Sequence, residues 1–280
     1  MDNPARKSML CPNCRRLIST DEARCPHCGL AAPGARWKNN PLTRGWGSGD
    51  QLVRMILYAN IVMYLVSLVI SRGIMGSGFN PLHMLAPSPS ALAWLGATGT
   101  LMVRDVGWWT VISANYLHGS ALHIFFNMVV FYQIAPLITR LFGAYRFFAI
   151  YTISGAGGFL VSYFMGTPIT VGASAAICGL IGAALYYGKS RGGFFGETIF
   201  KQIGGWALAI VLFGFFMPQI NNSAHIGGML FGGLTAMGLG YTEKSRESVG
   251  HRVLAGACMV VTLSVLLFAL LRGLFFWLGF

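Results

Sequence analysis

Two short cysteine motifs near the N-terminus have the spacing of a metal site. Cys11 and Cys14 form one CxxC motif, and Cys25 and Cys28 form a second one ten residues later. Four thiolates in this pattern can close a tetrahedral Zn²⁺ site with Zn–S distances of about 2.3 Å and no open coordination position. Two disulfides are the alternative, but they are rare in reducing compartments. The motifs therefore predict a structural zinc ribbon over residues 1–32, whose folding depends on the metal.

A second set of polar residues lies within otherwise apolar sequence. A neutral His225 could accept the proton of Ser174, whose oxygen would then attack an amide carbonyl. The side chains of His123 and Asn127 and the backbone N–H of Ser174 could donate to the oxyanion, each donor contributing about 3–4 kcal/mol. Taken singly, each residue has a structural explanation, since serines in helices often bond to their own backbone. The hypothesis of a catalytic site depends on their combination.

The composition indicates a membrane protein. The chain has 280 residues, of which 55% are hydrophobic and only 10% are charged, whereas soluble domains carry about 25% charged residues. A soluble enzyme is therefore excluded. The net charge of +12 is compatible with nucleic acid binding. However, the basic residues lie between apolar runs or near the N-terminus, so nucleic acid is not expected as the main partner.

Seven apolar runs approach the length of about 20 residues that a bilayer crossing requires. The Lys and Arg residues of the intervening loops lie mainly on one side, which predicts a cytoplasmic N-terminus and an outer C-terminus. The region 73–117 is interrupted by glycine, proline, asparagine and charged residues, so it is not expected to form a span. Its apolar stretch Ala91–Val103 predicts an amphipathic or re-entrant element in the membrane interface. Aromatic residues of this region, including Trp109 and Tyr116, would form an interfacial belt. The predicted spans are 52–71, 121–140, 145–166, 171–188, 203–218, 222–242 and 253–278.

This topology predicts that the polar set lies at one depth, near the outer surface. His123 and Asn127 are one turn apart on one helix face, Ser174 lies three residues into the fourth span, and His225 lies just inside the sixth. No predicted span contains Asp or Glu. Proton-coupled carriers usually place carboxylates at membrane depth, so this absence argues against a carrier or channel. It also leaves no acidic residue to orient a histidine, so serine catalysis here would use a serine–histidine dyad. The repeat of small residues at Gly228, Gly232 and Ala236 would allow close helix approach.

At these positions the sequence resembles the rhomboid intramembrane serine proteases. The resemblance covers residues 52–242, and it is specific because several motifs occur in the same order and spacing. The matching motifs are the run from Thr110 to His118, His123-xxx-Asn127-Met, Gly172-Ala-Ser174, Tyr151-xx-Ser-Gly155, Gly157-Gly158 and Ala224-His225-Ile-Gly-Gly228.

The resemblance implies an all-α polytopic membrane protein with a six-helix core over residues 51–243. A linker over 33–50 would precede this core, and a cytoplasmic loop with a seventh transmembrane helix over 244–280 would follow it. The expected location is the bacterial cytoplasmic membrane. The expected partners are the lipid bilayer and transmembrane protein substrates, and the ribbon could also dock a cytoplasmic protein.

The resemblance also implies the role of each residue in the site. Ser174 would be the nucleophile and His225 the base, while Gly172, His123 and Asn127 would belong to the oxyanion region. The reaction would cleave a substrate's transmembrane helix near its outer end and would need no cofactor.

Three positions depart from the family pattern. Ala175 follows the serine where glycine is usual, Cys178 replaces a common aromatic residue, and Thr110 follows Trp109 in place of arginine. The alternative function is therefore a catalytically silent relative that binds membrane helices for quality control or trafficking. Such proteins tend to lose the serine or the histidine, and both residues are present here.

Overall fold

The structure is a computed structural model of the 280-residue chain. Most of the predicted linker over 33–50 lies outside the residues that it describes. The described residues are 8–30, 32–34, 47–71, 84–217 and 219–279.

The cysteine-rich segment forms a small ribbon. Strands β1 (Ser8–Leu10) and β2 (Leu17–Ser19) pair antiparallel, with Met9 opposite Ile18. Ile18 is buried against the cysteines. This core is small, which agrees with a module whose stability depends on a bound metal.

Among the described residues, seven long helices correspond one to one to the seven predicted spans, and the expected all-α polytopic architecture is confirmed. Three short helices, α2 (Pro89–Trp94), α3 (Thr100–Asp105) and α4 (Thr110–Ser113), occupy the broken region between the first two long helices. The long helices are α1 (Gly49–Ile70), α5 (Ala121–Phe142), α6 (Ala144–Phe164), α7 (Ser174–Arg191), α8 (Gly193–Phe216), α9 (Asn222–Leu239) and α10 (Val249–Leu278).

Five of these helices, α1, α5, α6, α8 and α10, are long and apolar enough to cross a membrane. The other two, α7 and α9, have 18 residues each and are rich in glycine and alanine. Most side chains of α7 are buried, since α6, α8 and α9 pack around it. Such a central helix needs small residues for close packing more than large apolar ones for contact with lipid.

Several predicted span limits differ from the observed helix limits, and two of these differences have a clear physical reason or consequence. Helix α8 begins at Gly193 rather than at residue 203, because its first turns carry the exposed Glu197 and Lys201, which an apolar window excludes. Helix α7 begins at Ser174 itself, so this serine does not lie three residues inside a span.

The loop between α9 and α10 is fixed to the start of α6 by a buried arginine and a glutamate. The guanidinium of Arg146 is fully buried and donates to the carbonyl oxygens of Ser245 and Arg246 at 3.0 and 3.2 Å. Glu247 Oε1 accepts the backbone N–H groups of Tyr145 and Arg146 at 2.8 and 3.0 Å. The carboxylate thus satisfies free N–H groups of the first turn of α6, and these bonds hold the start of α10 against the bundle.

The C-terminal half of α10 packs against the region of the short helices. The ring of Trp109 lies 5.1 Å from that of Phe268, and the Arg272 guanidinium lies 5.3 Å above Trp109. Tyr116 is buried, with its ring 6.3 Å from Tyr151. Its prediction as an interfacial residue was therefore wrong, because the seventh helix and α6 cover this loop.

Candidate active site

The segment before Ser174 is held in place by backbone hydrogen bonds to the region of the short helices. Thr98 and Thr170 exchange two backbone bonds, at 3.0 and 2.6 Å. Further along, the N–H of Gly172 donates to the carbonyl of Ala114 at 2.8 Å. Ser174 therefore begins α7 directly after a backbone segment whose position is set by a distant part of the chain.

Gly172 lies where His123 and Ser174 meet. A Cβ atom on Gly172 would lie 2.7 Å from His123 Nε2 and 3.7 Å from Ser174 Oγ. Its φ of +133° is also a conformation that side-chain-bearing residues rarely adopt. The two polar side chains thus line one small space, and the absence of a side chain on Gly172 keeps that space open.

The hydrogen bonds of His123 determine which nitrogen carries its proton. The backbone N–H of Gly119 donates to His123 Nδ1 at 3.3 Å. Because Nδ1 is an acceptor, the neutral ring carries its proton on Nε2, the nitrogen that lies beside Gly172. His123 can therefore donate a hydrogen bond into the space next to Ser174.

Asn127 lies one turn after His123 on α5 and is 7% exposed. Its Nδ2 donates to the carbonyl of His123 at 2.8 Å. This bond uses one amide N–H and leaves the other N–H as a second donor on this face of α5.

His225 lies in the first turn of α9 and is 7% exposed. Asn221 caps this helix, and its Nδ2 donates to Ser162 Oγ at 2.6 Å and to Thr170 Oγ1 at 3.2 Å. The start of α9 is thus bonded both to α6 and to the segment that leads to Ser174. Within the described part of the chain, His225 Nδ1 has no hydrogen-bond partner.

Helices α7 and α9 approach each other backbone to backbone. A methyl group on Gly228 would overlap the carbonyl oxygen of Ala175, and one on Gly232 would overlap that of Gly179. His225 precedes Gly228 by three residues and so lies on nearly the same helix face, while Ser174 directly precedes Ala175. The structure therefore brings the N-terminal turns of α7 and α9, which carry Ser174 and His225, side by side.

The alanine that departs from the family pattern points away from the His123 side of the site. Ala175 Cβ lies 3.0 Å from the position that a Cβ atom on Gly158 would occupy, and it packs with Phe159 and Ala224. Its methyl group therefore fills space between α6 and α9. Cys178 is buried in the next turn.

The sequence predicts that His118 supports its loop at the membrane interface rather than reacting, and in the structure this residue is fully buried. Its ring lies 5.1 Å from the ring of His123, at an interplanar angle of 71°. Both of its ring nitrogens lack a hydrogen-bond partner among the described residues. His118 packs edge to face against His123 and restricts that ring's position; only the spacing of the two histidines pointed to this contact.

The four predicted metal ligands lie together at the other end of the chain. The Sγ atoms of Cys11, Cys14, Cys25 and Cys28 all lie within 4.8 Å of one another, with pairs at 3.6 and 3.7 Å. A tetrahedron with Zn–S bonds of about 2.3 Å has sulfur–sulfur edges of about 3.8 Å. The cluster therefore fits a tetrahedral four-sulfur zinc site, and such a site would be structural because it has no open position.

Removal of the metal is expected to unfold the ribbon without unfolding the helical bundle. With a strong zinc chelator, amide hydrogen exchange over residues 8–30 should accelerate to that of an unstructured peptide, because a bound metal would supply the folding free energy of so small a module. Exchange in α6 and α7 should not change. Unchanged protection of residues 8–30 after complete loss of zinc, measured by elemental analysis, would contradict this prediction.

The comparisons with known proteins agree with the resemblance found in the sequence. The Rhomboid domain model matches residues 105–242. The chain is 31% identical to Rhomboid protease GluP of Bacillus subtilis over 62% of this chain and 34% of that protein. It is 34% identical to RHOMBOID-like protein 5 of Arabidopsis thaliana over 65% of each chain. It is 33% identical to Putative rhomboid protease YdcA of Bacillus subtilis over 58% of this chain and 82% of that protein.

The chain thus spans only about a third of the length of the first of these relatives and just under two thirds of the second. It spans most of the third. The matched region contains α5 to α9 and every residue of the candidate site. The chain therefore belongs to the rhomboid family of integral membrane proteins.

Proposed function

We propose that the protein is an intramembrane serine endopeptidase that cleaves the transmembrane helices of other membrane proteins near their outer ends. The observation that carries this proposal is the space at Gly172, which His123 Nε2 and Ser174 Oγ both line. A nucleophile and a hydrogen-bond donor around one open space are two of the groups that acyl transfer requires together.

In the proposed reaction, His225 accepts the hydroxyl proton of Ser174 as the serine oxygen bonds to the substrate carbonyl carbon. The oxyanion receives hydrogen bonds from His123 Nε2–H, from the Asn127 amide and from the Ser174 backbone N–H. That N–H belongs to the first residue of α7, so it has no partner within its own helix. His225 then gives its proton to the leaving amine as the C–N bond breaks, and water hydrolyses the acyl-enzyme.

We also propose the orientation that the loop charges predict, with the ribbon in the cytoplasm of a bacterium and the catalytic residues near the outer surface. In this arrangement the ribbon cannot reach the reacting bond. Its metal would stabilise the N-terminal module, while Ser174 and His225 need no cofactor.

Labelling with a fluorophosphonate probe tests the proposed dyad without knowledge of the substrate. The purified full-length protein should be modified on Ser174, as mapped by mass spectrometry, because only an activated serine reacts with this electrophile. His225→Ala should abolish the label while the protein stays folded. Absence of label on the folded wild-type protein, beside a labelled active rhomboid, would favour the helix-binding alternative.

Gly172→Ala is expected to slow the labelling of Ser174 by about 100-fold, since a displacement of about 1 Å at a reacting group has an effect of that order. The added Cβ would contact His123 Nε2 at 2.7 Å. Gly166→Ala is the matched control, because Gly166 also has a positive φ, of +81°, but has no atom within 4 Å of its Cβ position. Equal labelling rates in the two variants would show that Gly172 does not shape the site.

A further inference from the structure

The first and last long helices, α1 and α10, meet at one end and separate towards the other. Near their C-terminal ends they are in contact, since a Cβ atom on Gly273 would lie 2.6 Å from Ile70 Cδ1. Towards the opposite end, α10 packs on α6, where Arg252 lies over the ring of Tyr145. There α1 packs on α5 instead, with Gly49 beside Thr139. The two helices therefore enclose a V-shaped groove.

This groove is a cavity of about 690 Å³ with almost entirely apolar walls. Leu266 and Leu270 of α10 face Ala59 and Val62 of α1 across it. A smaller cavity of about 270 Å³ continues from Leu270 towards the C-terminal end of α10. None of the residues of the candidate catalytic site lines either cavity.

Besides Tyr58, the polar side chains of the groove, Gln51 and Arg54, lie at the N-terminal end of α1. Arg54 is exposed there, and among the described residues no carboxylate lies within 4.0 Å of it, although Asp50 is one turn earlier. Gln51 Oε1 accepts the N–H of Ser48, which leaves the Gln51 amide N–H groups as donors. Both side chains thus offer hydrogen-bond donors, and the guanidinium adds a positive charge, a combination that suits a phosphate group.

The dimensions of the groove fit a lipid chain rather than a helix. From Arg54 to Met63, α1 rises about 14 Å, close to half of the roughly 30 Å hydrocarbon core that one leaflet fills. A transmembrane helix is about 10–12 Å wide with its side chains, so it could not run the full length of a groove whose walls meet where Gly273 approaches Ile70.

We propose that this groove binds one acyl chain of an anionic phospholipid, whose phosphate is held by Arg54 and Gln51. The chain lies between α1 and α10 and fills the apolar cavity. An anionic headgroup is preferred over phosphatidylcholine because the choline cation would approach the guanidinium of Arg54. The site lies apart from Ser174 and His225, so it does not depend on the proposed catalysis.

Native mass spectrometry of the full-length protein, with equal amounts of phosphatidylglycerol and phosphatidylcholine, tests this site. Wild-type protein should retain one phosphatidylglycerol in preference to phosphatidylcholine. Arg54→Gln should weaken that preference about fivefold, the effect of one basic residue near an anionic headgroup. Ala59→Phe should fill the groove and remove the retained lipid, and Val62→Trp should do the same at a position already half exposed.

Two matched controls separate the groove from the rest of the lipid-facing surface. Lys201→Gln removes an exposed charge from α8, and Ala257→Phe enlarges an exposed residue of α10 outside the groove; neither should alter lipid retention. Equal retention by wild type and all variants would overturn the proposal. If Ala59→Phe loses the lipid but wild-type protein shows no preference between the two headgroups, the proposed role of Arg54 is wrong. A dimer that dissociates in Ala59→Phe would identify a second copy as the occupant instead.

Discussion

Replacing Ser174 by alanine is expected to lower the rate of substrate cleavage by about four to six orders of magnitude. Removal of a catalytic serine has an effect of this size because the covalent route is lost and only binding and oxyanion stabilisation remain. The folded structure should not change, since Ser174 is the first residue of α7 and its side chain does not cap that helix. Cleavage of tagged single-span proteins reconstituted with the enzyme in liposomes measures this effect.

A double variant makes this test specific for the dyad. Because the serine and the histidine would act as one unit, Ser174→Ala combined with His225→Ala should be no slower than Ser174→Ala alone. Ser190→Ala is the matched control, since Ser190 lies near the other end of the same helix and is exposed, and it should cleave at the wild-type rate. Cleavage by Ser174→Ala within tenfold of wild type would refute the assignment of the nucleophile.

Replacing Gly228 by alanine is expected to destabilise the protein by about 3 kcal/mol and to slow the labelling of Ser174 by about 100-fold. The added methyl group would overlap the carbonyl oxygen of Ala175, and backbone atoms cannot move aside as a flexible side chain can. Helices α7 and α9 would have to separate, at the usual cost of overpacking. His225 would move away from Ser174, and such displacements strongly reduce catalysis.

Gly238→Ala on the same helix is the control for this effect. Gly238 has no atom within 4 Å of its Cβ position, so alanine there should stabilise α9 slightly through its higher helix propensity. The unfolding temperature in detergent and the labelling rate should therefore both fall in Gly228→Ala. Neither should fall in Gly238→Ala. If both variants labelled at the wild-type rate, close packing of α7 on α9 would not be needed for the site.

Much of the fold could be predicted from the sequence because a bilayer imposes strong local rules. A spanning segment needs about 20 apolar residues and must satisfy its backbone hydrogen bonds internally, which favours helices. Each of the seven predicted apolar runs therefore corresponds to a helix. The errors in the predicted spans lie at helix ends, as at Gly193, where a helix continues through charged residues that an apolar window does not include.

The sequence by itself identified the residues of the zinc site and of the candidate catalytic site. It also placed the two sites in separate parts of the chain. The CxxC spacing alone placed Cys11, Cys14, Cys25 and Cys28 within reach of one ion, because each pair is local. The motifs around Ser174 and His225 likewise determined the family. The catalytic roles of these residues stay predictions that the labelling and cleavage experiments address.

Only the tertiary structure decided how distant segments meet. It showed that Ser174 begins a helix, that the Ala175 methyl group packs towards Gly158, and that His118 is buried against His123. It also revealed the groove beside Arg54. Local periodicity reports which face of a helix is apolar, but not which neighbour covers that face. That choice depends on the packing of helices far apart in the sequence, where single missing side chains such as those of Gly172 and Gly228 decide the closest approach.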